Sequence, residues 1–112
     1  MTIEKLASDL CCQNHTKGSS FSQVEIEHVV ASDLMSEVLV AEEENLILIT
    51  ALNTEQTIRT ANIVDAVGII LVNGKSPQPG MLKLAKEFDL SLISTQKTMF
   101  ETCAAVFQKL NT

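Results

Sequence analysis

The sequence predicts an α/β domain built on a mainly parallel sheet of four to five strands, and three observations predict it. Four short apolar runs recur along the chain: Val24 to Ala31, Leu46 to Ile49, Gly68 to Val72 and Leu90 to Ile93. Each ends in small polar residues (Ser32-Asp33, Thr50, Asn73-Gly74 and Ser94-Thr95) and gives way to a stretch with helical spacing. Two runs, Leu46-Ile47-Leu48-Ile49 and Ile69-Ile70-Leu71-Val72, are apolar on both faces, as central parallel strands covered by helices must be. A strand that runs into a helix returns to the sheet in the same direction, so the alternation means parallel pairing.

The chain opens with an amphipathic helix over 3–12, its stripe formed by Ile3, Leu6, Ala7, Leu10 and Cys11, with Thr2 placed to cap it. Residues 13–22, containing Lys17-Gly18-Ser19-Ser20, have the composition of a mobile linker. Val24, Ile26, His28 and Val30 alternate with Glu25 and Glu27 and predict an edge strand. Four helices follow from spacing, on Leu34, Met35, Val38 and Leu39; on Ile58, Ala61 and Val64; on Met81, Leu82, Ala85 and Phe88; and on Met99, Cys103, Val106 and Leu110. Asp33 is the expected cap of the first, Asn53 or Thr54 of the second and Ser94 or Thr95 of the last, while Pro77 and Pro79 suit a turn into the third. The 112 residues make one domain, 1–22 forming an N-terminal helix and linker and 23–112 the sheet and its helices.

Composition excludes several classes of partner. The net charge is −6, with no local cluster of Lys or Arg, and the only aromatics are four Phe, so neither a phosphate backbone nor stacked bases are served. No apolar stretch approaches the ~20 residues of a membrane span, and the first residues lack a secretory pattern. Three cysteines, two of them adjacent at Cys11-Cys12, fit a reducing compartment, so a cytoplasmic location is expected. The run Glu42-Glu43-Glu44 reads as a solvated loop.

The motifs that suggest chemistry dissolve on inspection. Gly74-Lys75-Ser76 resembles the end of a phosphate-binding P-loop, but position 69 is Ile rather than Gly, the preceding residues form a buried strand, and Pro77 and Pro79 stand where the helix should begin. An Asn-Gly turn is expected there. Cys11, Cys12 and His15 lack a second pair of ligands, and adjacent residues on a helix point about 100° apart, so no metal and no cofactor are expected. His15, in the linker, and His28, in mid-strand, are poorly placed as bases, which leaves Asp33 or Glu37 for any acid–base chemistry.

What remains is the ring of polar residues at the strand carboxyl ends, the region where open α/β sheets bind ligands, beside helix amino termini that favour anions. Ser32, Asp33, Thr50, Asn73, Ser94 and Thr95 form the candidate ligand-binding set, with Arg59 as counter-charge.

The chain resembles the DRTGG domain family, related to the amino-terminal domain of the bacterial HPr kinase/phosphorylase. The likeness is carried by Ala31-Ser32-Asp33-Leu34-Met35-Ser36-Glu37-Val38-Leu39, by Leu48-Ile49-Thr50, by Thr57 to Val64 and by Gly68 to Pro77. It continues through Leu84-Ala85-Lys86, Leu90 to Thr95 and Met99-Phe100-Glu101. The chain lacks the five-letter run that names the family, so the likeness bears on fold and not on a motif-based role. It implies a three-layer domain that serves as a regulatory or dimerising accessory rather than as a catalyst; the kinase activity of the relative resides in a P-loop domain absent here. The expected function is therefore a non-catalytic regulatory module, self-associating as a homodimer and sensing a small anionic metabolite or nucleotide. A protein-binding adaptor without a small ligand is the alternative, and an enzyme using Asp33 or Glu37 a third.

Overall fold

The computed structural model describes residues 1–111. In chain order the elements are α1 (Ile3–Asp9), β1 (Gln13–Thr16), β2 (His28–Ala31), α2 (Met35–Val38), β3 (Leu46–Thr50), α3 (Glu55–Ile63), β4 (Gly68–Leu71), α4 (Pro79–Glu87), β5 (Ser91–Ser94) and α5 (Met99–Leu110). The five strands lie in the order β1-β5-β4-β3-β2, with β2 to β5 parallel and β1 antiparallel to β5. The α/β class and the mainly parallel sheet are as the sequence predicts.

Side-chain alternation on the buried strands divides the core in two. Leu46, Leu48, Ile69, Leu71, Leu90 and Leu92 meet Met35, Val38, Ile58, Ala61, Met81, Leu84 and Ala85, which sets α2, α3 and α4 on one face. Ile47, Ile49, Ile70, Val72 and Ile93 meet Ile3, Leu6, Ala7, Leu10 and Val106, which sets α1 and α5 on the other. The result is three layers. Successive strands β2 to β5 are neighbours, and connections of one hand that all step in the same direction deliver their helices to one face.

Several local expectations are corrected. Residues 13–16 are not linker but an edge strand, paired to β5 with a bulge between Asn14 and Thr16. The rest of the segment is tied down as well: the Gly18 amide donates to Ser91 Oγ, the Ser19 amide to Asp89 Oδ1 and Ser20 Oγ to the Val67 carbonyl, while Phe21 is buried. The strand expected from Val24 begins only at His28; Ile26 is buried under α1, its amide donating to the Met1 carbonyl. Helix α1 does begin at Thr2, whose side chain accepts the Lys5 amide, and it covers its own sheet rather than a neighbour's surface.

The caps differ more than the elements. Helix α2 starts at Leu34 without a side-chain cap, so Asp33 does not cap it. Helix α5 is capped by Thr98, not by Ser94 or Thr95: Thr98 Oγ1 accepts the Glu101 amide and Glu101 accepts the Thr98 amide, a reciprocal capping box. Those hydrogen bonds from Thr98 hold the Glu101 carboxyl below the usual carboxylate range. Pro79 occupies the first turn of α4, where its missing N–H is harmless.

Candidate functional site

The polar residues at the strand carboxyl ends fall into separate small arrangements, and each is engaged with the protein itself. After β2, Ser32 Oγ accepts the Leu34 amide at 3.0 Å and lies 3.5 Å from Glu37. Asp33 reaches across to β3: its Oδ1 accepts from Thr50 Oγ1 at 2.8 Å and from the Ala51 amide at 2.7 Å. Thr50 is fully buried and its Oγ1 also accepts the Leu52 amide, so the pair locks the exit of β3 to that of β2. The side chains that Asp33 and Glu37 meet are the hydroxyls of Thr50 and Ser32, and neither carboxylate is hydrogen-bonded to a histidine among the described residues.

Between β4 and β5 the connections diverge to opposite faces, α4 joining α2 and α3 while α5 joins α1. That divergence is what opens a ligand crevice in α/β sheets. Here it is stitched shut. Val72 to Lys75 form a turn closed by the Lys75 amide on the Val72 carbonyl, with Asn73 at φ 60° and Gly74 at φ 68°, as an Asn-Gly turn requires. The Asn73 and Gly74 amides, which in a P-loop would face phosphate, donate instead to the carbonyls of Lys97 and Thr95. Asn73 Oδ1 accepts the Met99 amide and Thr95 Oγ1 accepts the Lys97 amide, so both side chains brace the same junction.

Ser94 belongs to a third arrangement. Its Oγ shares a 2.7 Å hydrogen bond with His15 Nε2, brought there by β1. Linker composition puts His15 in a mobile segment; strand β1 instead holds it at the sheet edge, where partial burial lowers its pKa below the ordinary histidine value. Residues 79 positions apart cannot reveal such a pair locally, and no spacing in the sequence signals it.

Arg59 stands apart from all of these, exposed on α3 and paired at 3.5 Å with Glu55 one turn earlier. The other Glu55 oxygen approaches the start of α4: a Cβ added to Gly80 would lie 2.7 Å from it. Helices α3 and α4 thus begin side by side, joined by Asn53, whose Nδ2 donates to the Ser76 carbonyl and whose own carbonyl accepts the Gln78 amide. Neither N-cap residue, Thr54 or Gln78, makes a side-chain cap hydrogen bond. The sequence holds one hint of this junction: glycine at position 80, inside a helix, is disfavoured unless something must come close.

Grooves occur elsewhere. One of about 620 Å3 opens at the amino ends of the strands, rimmed by Glu42, Glu43, Glu44, Asp65 and Asp89. A smaller one of about 290 Å3 runs between β1 and α4 beside His15, Lys17 and Lys86. Burial pushes the Cys12 thiol up to about 11, aided by Cys11, and raises Cys103 also, so both are protonated at neutral pH. Among the described residues no group of three or more His, Cys, Asp or Glu side chains is arranged to hold a metal ion, and no helix is long and apolar enough to cross a membrane.

No family model matches the chain, and no curated protein matches it. A solved structure does: the CBS and DRTGG domains of the regulatory region of Clostridium perfringens pyrophosphatase, complexed with its activator diadenosine tetraphosphate. The TM-score is 0.69 at 15% identity, over 92% of this chain and 44% of that one. This chain therefore spans less than half the length of its structural neighbour. The likeness is one of fold, a five-stranded mostly parallel sheet between helical layers, and the neighbour is a regulatory region rather than a catalytic one.

Proposed function

We propose that this chain is a non-catalytic regulatory module that works as a homodimer and senses a small anionic metabolite or nucleotide at the carboxyl ends of its strands. The observation that carries the reading is the junction of α3 and α4, where two helix amino termini without side-chain caps lie together. Free amide groups at such termini favour an anion, and here a carboxylate of the chain, Glu55, already leans on the start of α4. A phosphate-bearing ligand would displace Glu55 and release Arg59 to serve as its counter-charge. Asp33 and Thr50, and the braced turn of Asn73, Thr95 and the neighbouring Ser94, hold the strand ends that carry the two helices; Ser32 completes that frame. The neighbour's complex with an adenosine nucleotide supports the same class of ligand.

The test is thermal unfolding at fixed protein concentration against adenine and guanine nucleotides and phosphorylated metabolites. A ligand at 100 times its Kd stabilises by about 2.7 kcal/mol, a shift of several degrees in a domain of this size. Glu55→Gln is expected to tighten binding about three- to tenfold and Arg59→Ala to weaken it by a similar factor; both residues are exposed, so the unliganded Tm should move little. A panel with no shift in wild type and Glu55→Gln alike overturns the reading and favours the adaptor. That second reading rests on its own observation, the exposure of Leu34, Leu39, Val40, Phe100 and Phe107.

A further inference from the structure

Two of the four phenylalanines stand in water on one helix. Phe100 is 81% exposed and Phe107 68%, both on α5, whose opposite side buries Thr102 and Val106 against the sheet. Seven residues apart, they fall on nearly the same meridian of the helix, and exposed Ala104 lies between them. Exposed large apolar side chains in a continuous stripe mark a contact surface rather than chance. The other exposed large apolar residues, Leu34, Leu39, Val40 and Ile63, lie at helix ends and in the loop after α2 rather than along the length of one helix.

We propose that this stripe is where two copies of the chain meet, α5 packing antiparallel on α5 of the second copy about a two-fold axis near Ala104. The inference rests on the homodimeric part of the function proposed above and names its surface. The stripe is complementary to itself: large at both ends and small in the middle, so the antiparallel arrangement sets Phe100 of each copy beside Phe107 of the other, with the two Ala104 methyls between, letting the helices approach closely. Electrostatics select the same direction. An antiparallel pair places the positive amino end of each helix beside the negative carboxyl end of the other, and brings exposed Lys97, just before α5, toward the last turn of the second α5, whose own Lys109 lies half a turn around from the Phe stripe and is paired with Asp9. A parallel pair would oppose like ends. Helix α1, the other amphipathic element, is consumed by its own sheet and offers no competing face.

A single helix of about 18 Å covers less than the roughly 800 Å2 per partner of a standard interface, so association is weak and reversible. Sedimentation velocity over about a hundredfold range of concentration should show the average mass rising from one protomer toward two. Phe100→Glu and Phe107→Glu, each outside the core, should each hold the protein monomeric throughout with an unchanged unfolding transition. With Cys11, Cys12 and Cys103 replaced by Ala, Ala104→Cys should cross-link two chains under mild oxidation, because only a residue near the axis meets itself. Three results overturn the proposal: a wild-type chain monomeric at every concentration, a dimer that survives the double Phe→Glu change, or a dimer whose Ala104→Cys form fails to cross-link. A monomer that still answers nucleotide in the thermal assay leaves sensing intact, whereas a dimer that answers nothing leaves only the interface.

Discussion

At the scale of single residues, the polar groups at the strand ends act first as braces. Asp33 illustrates the difference between expectation and outcome: its position after a strand suggests a cap for α2, yet its carboxylate is used by Thr50 and Ala51 on the adjacent strand. A cap can be read from neighbours in sequence; a partner 17 residues away needs the sheet register first. His15 makes a testable case. The folded protein partly buries the ring and disfavours its charged form, lowering its pKa, whereas the unfolded chain takes up a proton near the ordinary value of about 6.5. The unfolded state therefore binds the proton first as pH falls, so the stability from neutral His15 is full above about pH 7 and is lost progressively through 6.5 toward the lower folded-state pKa. The difference in Tm between wild type and His15→Gln, measured from pH 8 to 5, should shrink or invert toward acid. Parallel profiles would show that the ring titrates alike in both states.

Among the elements, β1 and α1 decide whether the remainder can stand. Ile3, Leu6, Leu10 and Phe21 are buried against one face of the sheet, and each contributes about 1.5–3 kcal/mol by leaving water. Together that is comparable with the entire stability of a typical domain. Removing them would also strip β5 of its antiparallel neighbour. A fragment of residues 23–112 should accordingly lack cooperative thermal unfolding; a sharp transition in circular dichroism would show that the first 22 residues are dispensable. Strands β3, β4 and β5 are legible within a residue or two, because a strand covered on both faces carries an apolar run at its centre, even where buried Thr50, Ser91 and Ser94 stand at its ends. Strand β1 is not, since Gln13-Asn14-His15-Thr16 is an exposed, bulged edge with little to bury. The α5 start is legible as well: Thr98-Met99-Phe100-Glu101 is a capping-box pattern, which outweighs the mere position of Ser94-Thr95 directly after the strand. The candidate site was legible as residue types at strand ends; how those residues spend their hydrogen bonds was not, because the stitching between Asn73 and the Thr95–Lys97 segment depends on which loops the topology makes adjacent.

Across the whole molecule, charge is unevenly distributed. The five carboxylates around the groove at the strand amino ends face no lysine or arginine in its lining, and the chain carries six more acidic than basic side chains. Ion pairs are few among the described residues, and each has at least one exposed partner, as in Lys5–Asp9 and Arg59–Glu55. Repulsion should therefore outweigh attraction, and raising NaCl from about 20 to about 200 mM should raise Tm by about 1–3 °C as the screening length falls to about 7–8 Å. A falling Tm would mean that the exposed pairs matter more than the acidic rim. The sheet order carries one more consequence, for a chain emerging from the ribosome. Gln13–Thr16 is made early, but its only pairing partner, Ser91–Ser94, arrives some 75 residues later. Each intermediate nascent chain must hold an unpaired strand beside a half-built sheet, at the growing entropic cost of closing that span. Synthesis that stalls before residue 90 leaves β4 as a fresh apolar edge, and the period of vulnerability to mispairing ends only when β5 slides between the two.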